Sequence, residues 1–195
     1  MRKGFSLIEL YIVIAVLAII AIASIPTLRN FYERKTLENI MWQLAQDLRI
    51  AREKAIVQQQ DLIAYIGEDE YYIEFMQYGM LQNPQIYNIH FVPGDANSRY
   101  FKIVKLPKNI KLQFISPTVS INGKNYLGVV FKAGGNANEI RGQAKIVNLL
   151  SGRTLYSDSN IDNNGVVITG KSMSINLSYS IKIMATGKIS HIDIF

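Results

Sequence analysis

The sequence predicts an α+β protein in which one long N-terminal helix packs against antiparallel β-sheets. An apolar run occupies residues 5–25, and an amphipathic helical pattern continues from there to about residue 59. From residue 61 onward the hydrophobic period changes to two, and β-branched residues dominate. The chain has 195 residues, 49% of them hydrophobic, which is enough for one domain plus an appendage.

The apolar run decides how the chain is placed in the cell. Its 21 residues contain one charge, Glu9, and as a helix they would span about 32 Å, close to the roughly 30 Å of a bilayer core. Arg2 and Lys3 precede the run. The positive-inside rule therefore predicts a cytoplasmic N-terminus, with everything after Pro26 across the membrane.

Three interpretations of this segment compete: a removable secretory signal, a permanent anchor and a prepilin-type leader. The residues Ala21-Ile22-Ala23 would suit signal cleavage after Ala23. Glu9 argues against that interpretation, because a carboxylate inside the apolar stretch costs insertion free energy that a disposable signal has no use for.

The sequence RKGFSLIEL at residues 2–10 resembles the processing and methylation site of type IV pilins and type II secretion pseudopilins. The resemblance implies that residues 1–4 are a leader and that a prepilin peptidase cuts after Gly4 and methylates the new N-terminal Phe5. It also implies that Glu9, about 6 Å deeper in the helix, pairs with the terminal amine of a neighbouring subunit during assembly. The alternative for Glu9 is a carboxylate that reaches the headgroups at the membrane edge.

The second part of the helix, residues 26–60, is predicted to be amphipathic and to lie on the β domain. Pro26 has no N–H to donate to the Ile22 carbonyl, so we expect a kink there. The apolar positions recur at i, i+3, i+4 and i+7. They are Leu37, Ile40, Met41, Leu44, Ala45, Leu48, Ala51 and Ala55.

Residues 61–195 are predicted to form one β-rich domain without internal repeats. The predicted strands cover residues 62–66, 71–76, 86–92, 100–106, 110–115, 126–131, 144–149, 154–156, 166–169, 180–184 and 188–194. Ala185-Thr186-Gly187 is a hairpin signal between the last two strands.

A second resemblance covers the end of the helix. The sequence DLRIAREKAI at residues 47–56 is similar to the D-L-x-x-A-R-x-x-A-I pattern of the GspH/FimT group of minor pseudopilins and minor pilins. Thr186-Gly187-Lys188 and Leu106-Pro107 resemble that group's C-terminal T-G-R and its mid-domain L-P turn. The resemblance implies a long helix on a two-sheet β domain, a structural role and no catalysis or cofactor.

Three motifs that suggest chemistry have simpler explanations. GVVITGKS at residues 165–172 matches the P-loop expression, but it is strand-like where a P-loop must turn into a helix. The Asn- and Asp-rich residues 158–165 predict a turn, with a calcium-ordered loop as the alternative. His90 and His191 stand alone on their predicted strands, so we expect no catalytic or metal site at either.

The charge is unevenly distributed. Residues 27–95 carry 6 bases and 10 acids, whereas residues 96–195 carry 13 bases and 4 acids, and no acid occurs in residues 96–138. This basic run predicts a solvated face, a dock for the acidic helix of a neighbouring subunit, or a DNA contact. The DNA candidates are Arg99, Lys102, Lys105, Lys108, Lys111 and Lys188.

Together these observations predict a structural minor pilin or pseudopilin. We expect it to be anchored once in a bacterial inner membrane and then to enter a periplasmic or cell-surface filament, with other such subunits as partners. The alternatives are a DNA-binding minor pilin for natural transformation and an exported soluble domain released by cleavage after Ala23. In the resembling DNA receptors basic residues of the C-terminal hairpin make the contact, and here Lys188 stands in place of the Arg and is followed by Ser190 and His191.

Overall fold

A computed structural model describes residues 7–75, 86–88, 100–114, 119–121, 124–140, 155–161 and 164–192 of the chain. Helix α1 runs from Leu7 to Gln58 as one element of 52 residues and continues through Pro26. This confirms the prediction of a single long N-terminal helix.

The two halves of α1 differ in the distribution of apolar residues and in burial. The first half, residues 7–25, is apolar on all sides and is called the bare half because the rest of the chain does not cover it. None of its most apolar stretch is buried, and the helix is long and apolar enough to cross a membrane. The second half is amphipathic and buries one stripe against the domain. The apolar side chains of that stripe are Leu37, Met41, Leu44, Ala45, Leu48, Ala51 and Ala55.

The strands form two antiparallel sheets, as the resemblance implied. The strands are β1 (Leu62–Ile66), β2 (Glu70–Phe75), β3 (Ile86–Asn88), β4 (Tyr100–Lys105), β5 (Ile110–Phe114), β6 (Val119–Ile121), β7 (Lys124–Phe131), β8 (Ala137–Ile140), β9 (Leu155–Asn160), β10 (Val166–Ser172), β11 (Ser178–Ile183) and β12 (Ile189–Ile192). The larger sheet has the order β3-β9-β8-β7-β1-β2-β4, with β6 paired to β7, and the smaller has the order β12-β11-β10-β5.

Helix α1 packs against both sheets and supplies the centre of the core. It contacts β1 and β7 of the larger sheet and β10, β11 and β12 of the smaller one. The small side chains of Ala45, Ala51 and Ala55 are fully buried there, which allows a close approach of helix and sheets. Gly170 in β10 has the same effect, because a Cβ at this position would collide with the Met41 sulfur.

Two short strands were not predicted. Strands β6 and β8 are three and four residues long, and the β8 sequence ANEI contains one β-branched residue. Both pair with β7, and for β8 the partner strand rather than its own propensity determines the conformation. The predicted strand at residues 144–149 lies outside the described residues.

The structure also corrects the first part of the turn predicted at residues 158–165, whereas Asn164 does lie in a turn. Asp158, Ser159 and Asn160 belong to β9 and pair with Ile140, Glu139 and Asn138 of β8. Cross-strand pairing here outweighs the turn preference of Asp and Asn. The GVVITGKS sequence lies almost wholly in β10, which agrees with the prediction that it is not a phosphate-binding turn.

Candidate assembly helix and charged surfaces

The bare half of α1 is the most apolar exposed surface among the described residues. Leu7, Ile8, Tyr11 and Ile19 are each about two-thirds exposed to solvent in the isolated chain. Glu9 lies in the first described turn of the helix and is exposed as well. Gly4 and Phe5, the predicted cleavage and methylation positions, lie outside the described residues.

Pro26 sits between the bare half and the covered half of α1. Two residues earlier, the Ser24 hydroxyl donates a 2.8 Å hydrogen bond to the Ile20 carbonyl, a back-bond that often accompanies helix bending. Helix α1 is assigned as one continuous helix across Pro26, and the kink expected there stays a prediction.

Two arginines near the end of α1 hold the C-terminal hairpin against the helix. Arg52 donates from Nε to the Gly135 carbonyl at 2.8 Å and from Nη2 to the Thr186 carbonyl at 3.1 Å. Arg49 donates to the Ile189 carbonyl at 3.3 Å. A charged donor thus satisfies backbone acceptors in the turns that approach the helix.

The turn between β11 and β12 fits Arg52 because Gly187 carries no side chain. Gly187 has a φ of +74°, and a Cβ there would collide with the Gly135 carbonyl and the Arg52 side chain. Positive φ and close backbone approach both favour glycine. The D-L-x-x-A-R pattern and the T-G pattern noted in the sequence therefore contact each other, through Arg52 and the Thr186-Gly187 turn.

Asp47 forms a second polar contact, between α1 and the larger sheet. Its carboxylate is buried and accepts a 2.6 Å hydrogen bond from the Tyr71 hydroxyl in β2. Lys102 in β4 donates to the other carboxylate oxygen at 2.6 Å. Burial raises the pKa of Tyr71 well above its usual range, and the hydrogen bond to Asp47 raises it further.

Glu70 is the centre of a polar cluster at the start of β2. Its Oε1 accepts hydrogen bonds from Lys124 Nζ at 2.8 Å and from the Tyr126 hydroxyl at 2.9 Å. Burial raises the pKa of the Glu70 carboxyl, but the hydrogen bonds from Lys124, Tyr72 and Tyr126 outweigh it, so the pKa lies below its usual value. The pKa of Tyr126 is raised to about 12, mainly by burial and secondly by the hydrogen bond to Glu70.

Glu74 is a buried acid that the sequence analysis did not single out. It lies on β2 between Ile63 of β1 and Tyr100 of β4, next to a register shift at Ile73/Glu74. Burial alone raises the pKa of its carboxyl to about 8. The whole of β2 apart from Phe75 is buried, so neither face of this strand is open to solvent at Glu74.

The structure separates the basic residues that were candidates for DNA binding. Lys102 forms an ion pair with the buried carboxylate of Asp47. Lys105 and Lys108 are exposed on β4 and the following turn, and Lys111 is half-buried on β5. Lys188 is exposed on the hairpin that Arg52 holds. The described members are spread over β4 of the larger sheet, β5 of the smaller sheet and two turns, and Arg99 lies outside the described residues.

The described residues contain no group of three His, Cys, Asp or Glu side chains that could hold a metal ion. His191 lies in β12 opposite Ile181, and His90 lies outside the part of the chain that the structure describes. Nothing in the described part of the chain assigns a catalytic role to either.

Comparison with known proteins supports the assignment of the N-terminus. Residues 1–25 match the family described as the prokaryotic N-terminal methylation motif. Among solved structures, the chain is similar to the minor pseudopilin EpsH of the type 2 secretion system of Vibrio cholerae, with 10% sequence identity and a TM-score of 0.45. That match covers 80% of this chain and 96% of the other. No curated protein matches the chain.

Proposed function

We propose that this protein is a structural subunit of a type IV pilus or type II secretion pseudopilus. The observation that carries the proposal is the methylation motif at residues 1–25, which leads into a helix whose first half is bare and whose second half is built into a β domain. A soluble protein rarely leaves so large an apolar surface exposed. Lipid before assembly, and the helices of neighbouring subunits after it, would cover that surface.

The mature chain in this proposal begins at methylated Phe5. Removal of residues 1–4 creates a free amine one helical turn before Glu9, about 6 Å along the helix. In a filament, the carboxylate of one subunit and the amine of its neighbour would neutralise each other in a low-dielectric bundle, which favours one register of assembly. The proposal assigns no chemical reaction to the β domain.

Intact-mass measurement of the protein purified from membranes tests this proposal. We expect a chain that starts at Phe5 with one added methyl group, and an unprocessed chain for Gly4→Leu. A mature chain that starts at Ser24 would instead identify a secreted soluble domain. Electron microscopy of sheared filaments, with an antibody against the β domain, then tests incorporation.

A further inference from the structure

We propose that one end of the β domain docks on anionic lipid headgroups of the bilayer that holds α1 before assembly. This end, called the proximal tip, consists of Lys108, Lys111, Lys171 and Met173. The inference rests on the proposed function, because it requires α1 to be anchored in a membrane. It adds a second membrane contact, made by the β domain itself.

The packing of β10 against α1 shows which end of the domain faces the membrane. Gly170, near the end of β10, lies against Leu37 and Met41. The start of β10 pairs with Ile183, which also pairs with Ile189, whose carbonyl accepts from Arg49. Strand β10 therefore runs antiparallel to the helix, and the residues after Gly170 lie toward the membrane.

The proximal tip is a defined structure because hydrogen bonds join its two turns. The Met173 amide donates to the Asn109 carbonyl at 2.8 Å, which connects the end of β10 to the turn before β5. The Ser172 hydroxyl oxygen accepts from the amides of Ser174 and Ile175, both at 3.3 Å. Met173 itself is 65% exposed, so an apolar side chain projects from a held loop.

The charge of the tip suits an anionic surface. Lys111 and Lys171 stand directly opposite each other on β5 and β10, and like charges in this position repel. Lys108 is exposed in the adjoining turn. Glu68 and Asp69, in the turn between β1 and β2, line a pocket with Lys111 and Lys124, and Asp69 is 3.5 Å from Lys124. Lysines near an anionic leaflet are attracted to it, so headgroups would relieve the repulsion.

The height of the proximal tip above the bilayer also allows it to contact the headgroups. Leu37 is the buried residue of α1 that lies nearest the membrane, and it packs against Gly170 about 18 Å above residue 25. Three residues further along the chain, Met173 lies about 10 Å nearer the bilayer, which leaves about 8 Å to the hydrocarbon edge, and a headgroup layer occupies about 5 to 7 Å of that. Tyr32, which is 67% exposed, lies at this level, and tyrosine is a residue type that favours the interface.

Site-specific fluorescence quenching in vesicles tests the proposal with the full mature chain. The protein has no cysteine, so Met173→Cys gives a single labelling site, and Thr186→Cys on the distal hairpin gives the matched control. Each labelled protein is reconstituted into phosphatidylcholine vesicles with or without phosphatidylglycerol, and both contain a lipid with a spin-labelled headgroup. Co-flotation with the vesicles first establishes that α1 is anchored.

We expect the label at position 173 to be quenched in phosphatidylglycerol vesicles and released by salt, while the label at position 186 stays unquenched. Lys108→Glu and Lys171→Glu should each lower the docked-to-free ratio by at least about fivefold, the factor that corresponds to about 1 kcal/mol per lysine lost. Lys188→Glu, on the distal hairpin, should leave the ratio unchanged.

Two results would overturn the docking proposal while leaving the proposed function intact. One is a protein that co-floats with vesicles although its 173 label is no more quenched than its 186 label. The other is duplex DNA binding that Lys108→Glu and Lys171→Glu weaken, with quenching at position 173 unaffected. Failure to co-float would instead contradict the membrane anchorage on which both proposals rest.

Discussion

The Arg52 guanidinium donates a 3.1 Å hydrogen bond to the carbonyl oxygen of Thr186, which joins residues 134 positions apart. The same side chain also bonds to the Gly135 carbonyl. Both acceptors belong to turns, one after β7 and one before β12. The final turns of α1 thus hold together one turn from each sheet.

Replacing Arg52 with Ala should destabilise the domain. Two backbone acceptors would lose a charged donor, at a cost of about 1–3 kcal/mol of unfolding free energy. Urea unfolding of the full chain in detergent, followed by tryptophan fluorescence, measures this cost. Glu53→Ala, on an exposed position of the same helical turn, serves as the control and should change stability by less than about 0.5 kcal/mol.

Gly187→Ala should be considerably more harmful than Gly134→Ala. Position 187 combines a φ of +74° with a collision of the new Cβ against the Gly135 carbonyl and Arg52, whereas a Cβ at position 134 has no heavy atom within 4 Å. We expect a loss of about 2 kcal/mol or more for the first substitution and little change for the second. Similar midpoints in thermal melts of the two variants would refute the role given to Gly187.

Lys102→Met should cost about 2 kcal/mol of stability, because it leaves the buried Asp47 carboxylate with the Tyr71 hydroxyl but without its cation. Lys108→Met, in the same basic run but exposed, should have almost no effect on folding. Chemical denaturation of the two proteins side by side makes the comparison. An equally stable Lys102→Met protein would mean that the ion pair contributes little.

Glu74 should make stability depend on pH. Its folded pKa of about 8 lies above the usual value of 4.5, so the folded state holds a proton that the unfolded state has released. The contribution to stability is then complete below pH 4.5 and is lost as the pH rises toward 8, by about 1.4 kcal/mol per pH unit. Glu74→Gln should flatten this part of the curve, as measured by urea unfolding from pH 5 to pH 9.

Glu9→Ala should leave processing intact but remove the protein from filaments, since the terminal amine of a neighbouring subunit would lose its carboxylate partner. Glu38→Ala provides the control, because Glu38 lies beyond the bare half of α1 and pairs with Lys35. Immunoblots of membranes and of sheared filaments follow the two steps separately. Normal recovery of Glu9→Ala in filaments would contradict the assembly role.

The long elements could be predicted because their side chains repeat one pattern many times. The stripe from Leu37 to Ala55 specified both the helix and its buried face. Strand β8 could not be predicted in this way, since four residues with one β-branched side chain form a strand only because β7 and β9 lie on either side.

The chemistry of individual charges was harder to predict than their number. Lys102 and Lys108 look alike in sequence, yet one is held by Asp47, 55 residues away, and the other is exposed. Similarly, Glu70 and Glu74 are acids in a short predicted strand, and only the packing around β2 shows that both are buried. Long-range partners of this kind leave no local signal.

The attachment of α1 along the domain has a mechanical consequence. The helix is anchored to the sheets from Leu37 to Ala55, a length of about 27 Å, with polar joints at Asp47 and Arg52 toward its far end. A pull on the bare half would load the contact with β10 in shear, because that strand lies antiparallel to the helix. Tension would therefore be shared by many side chains at once, and the domain should resist extraction of its helix as a unit.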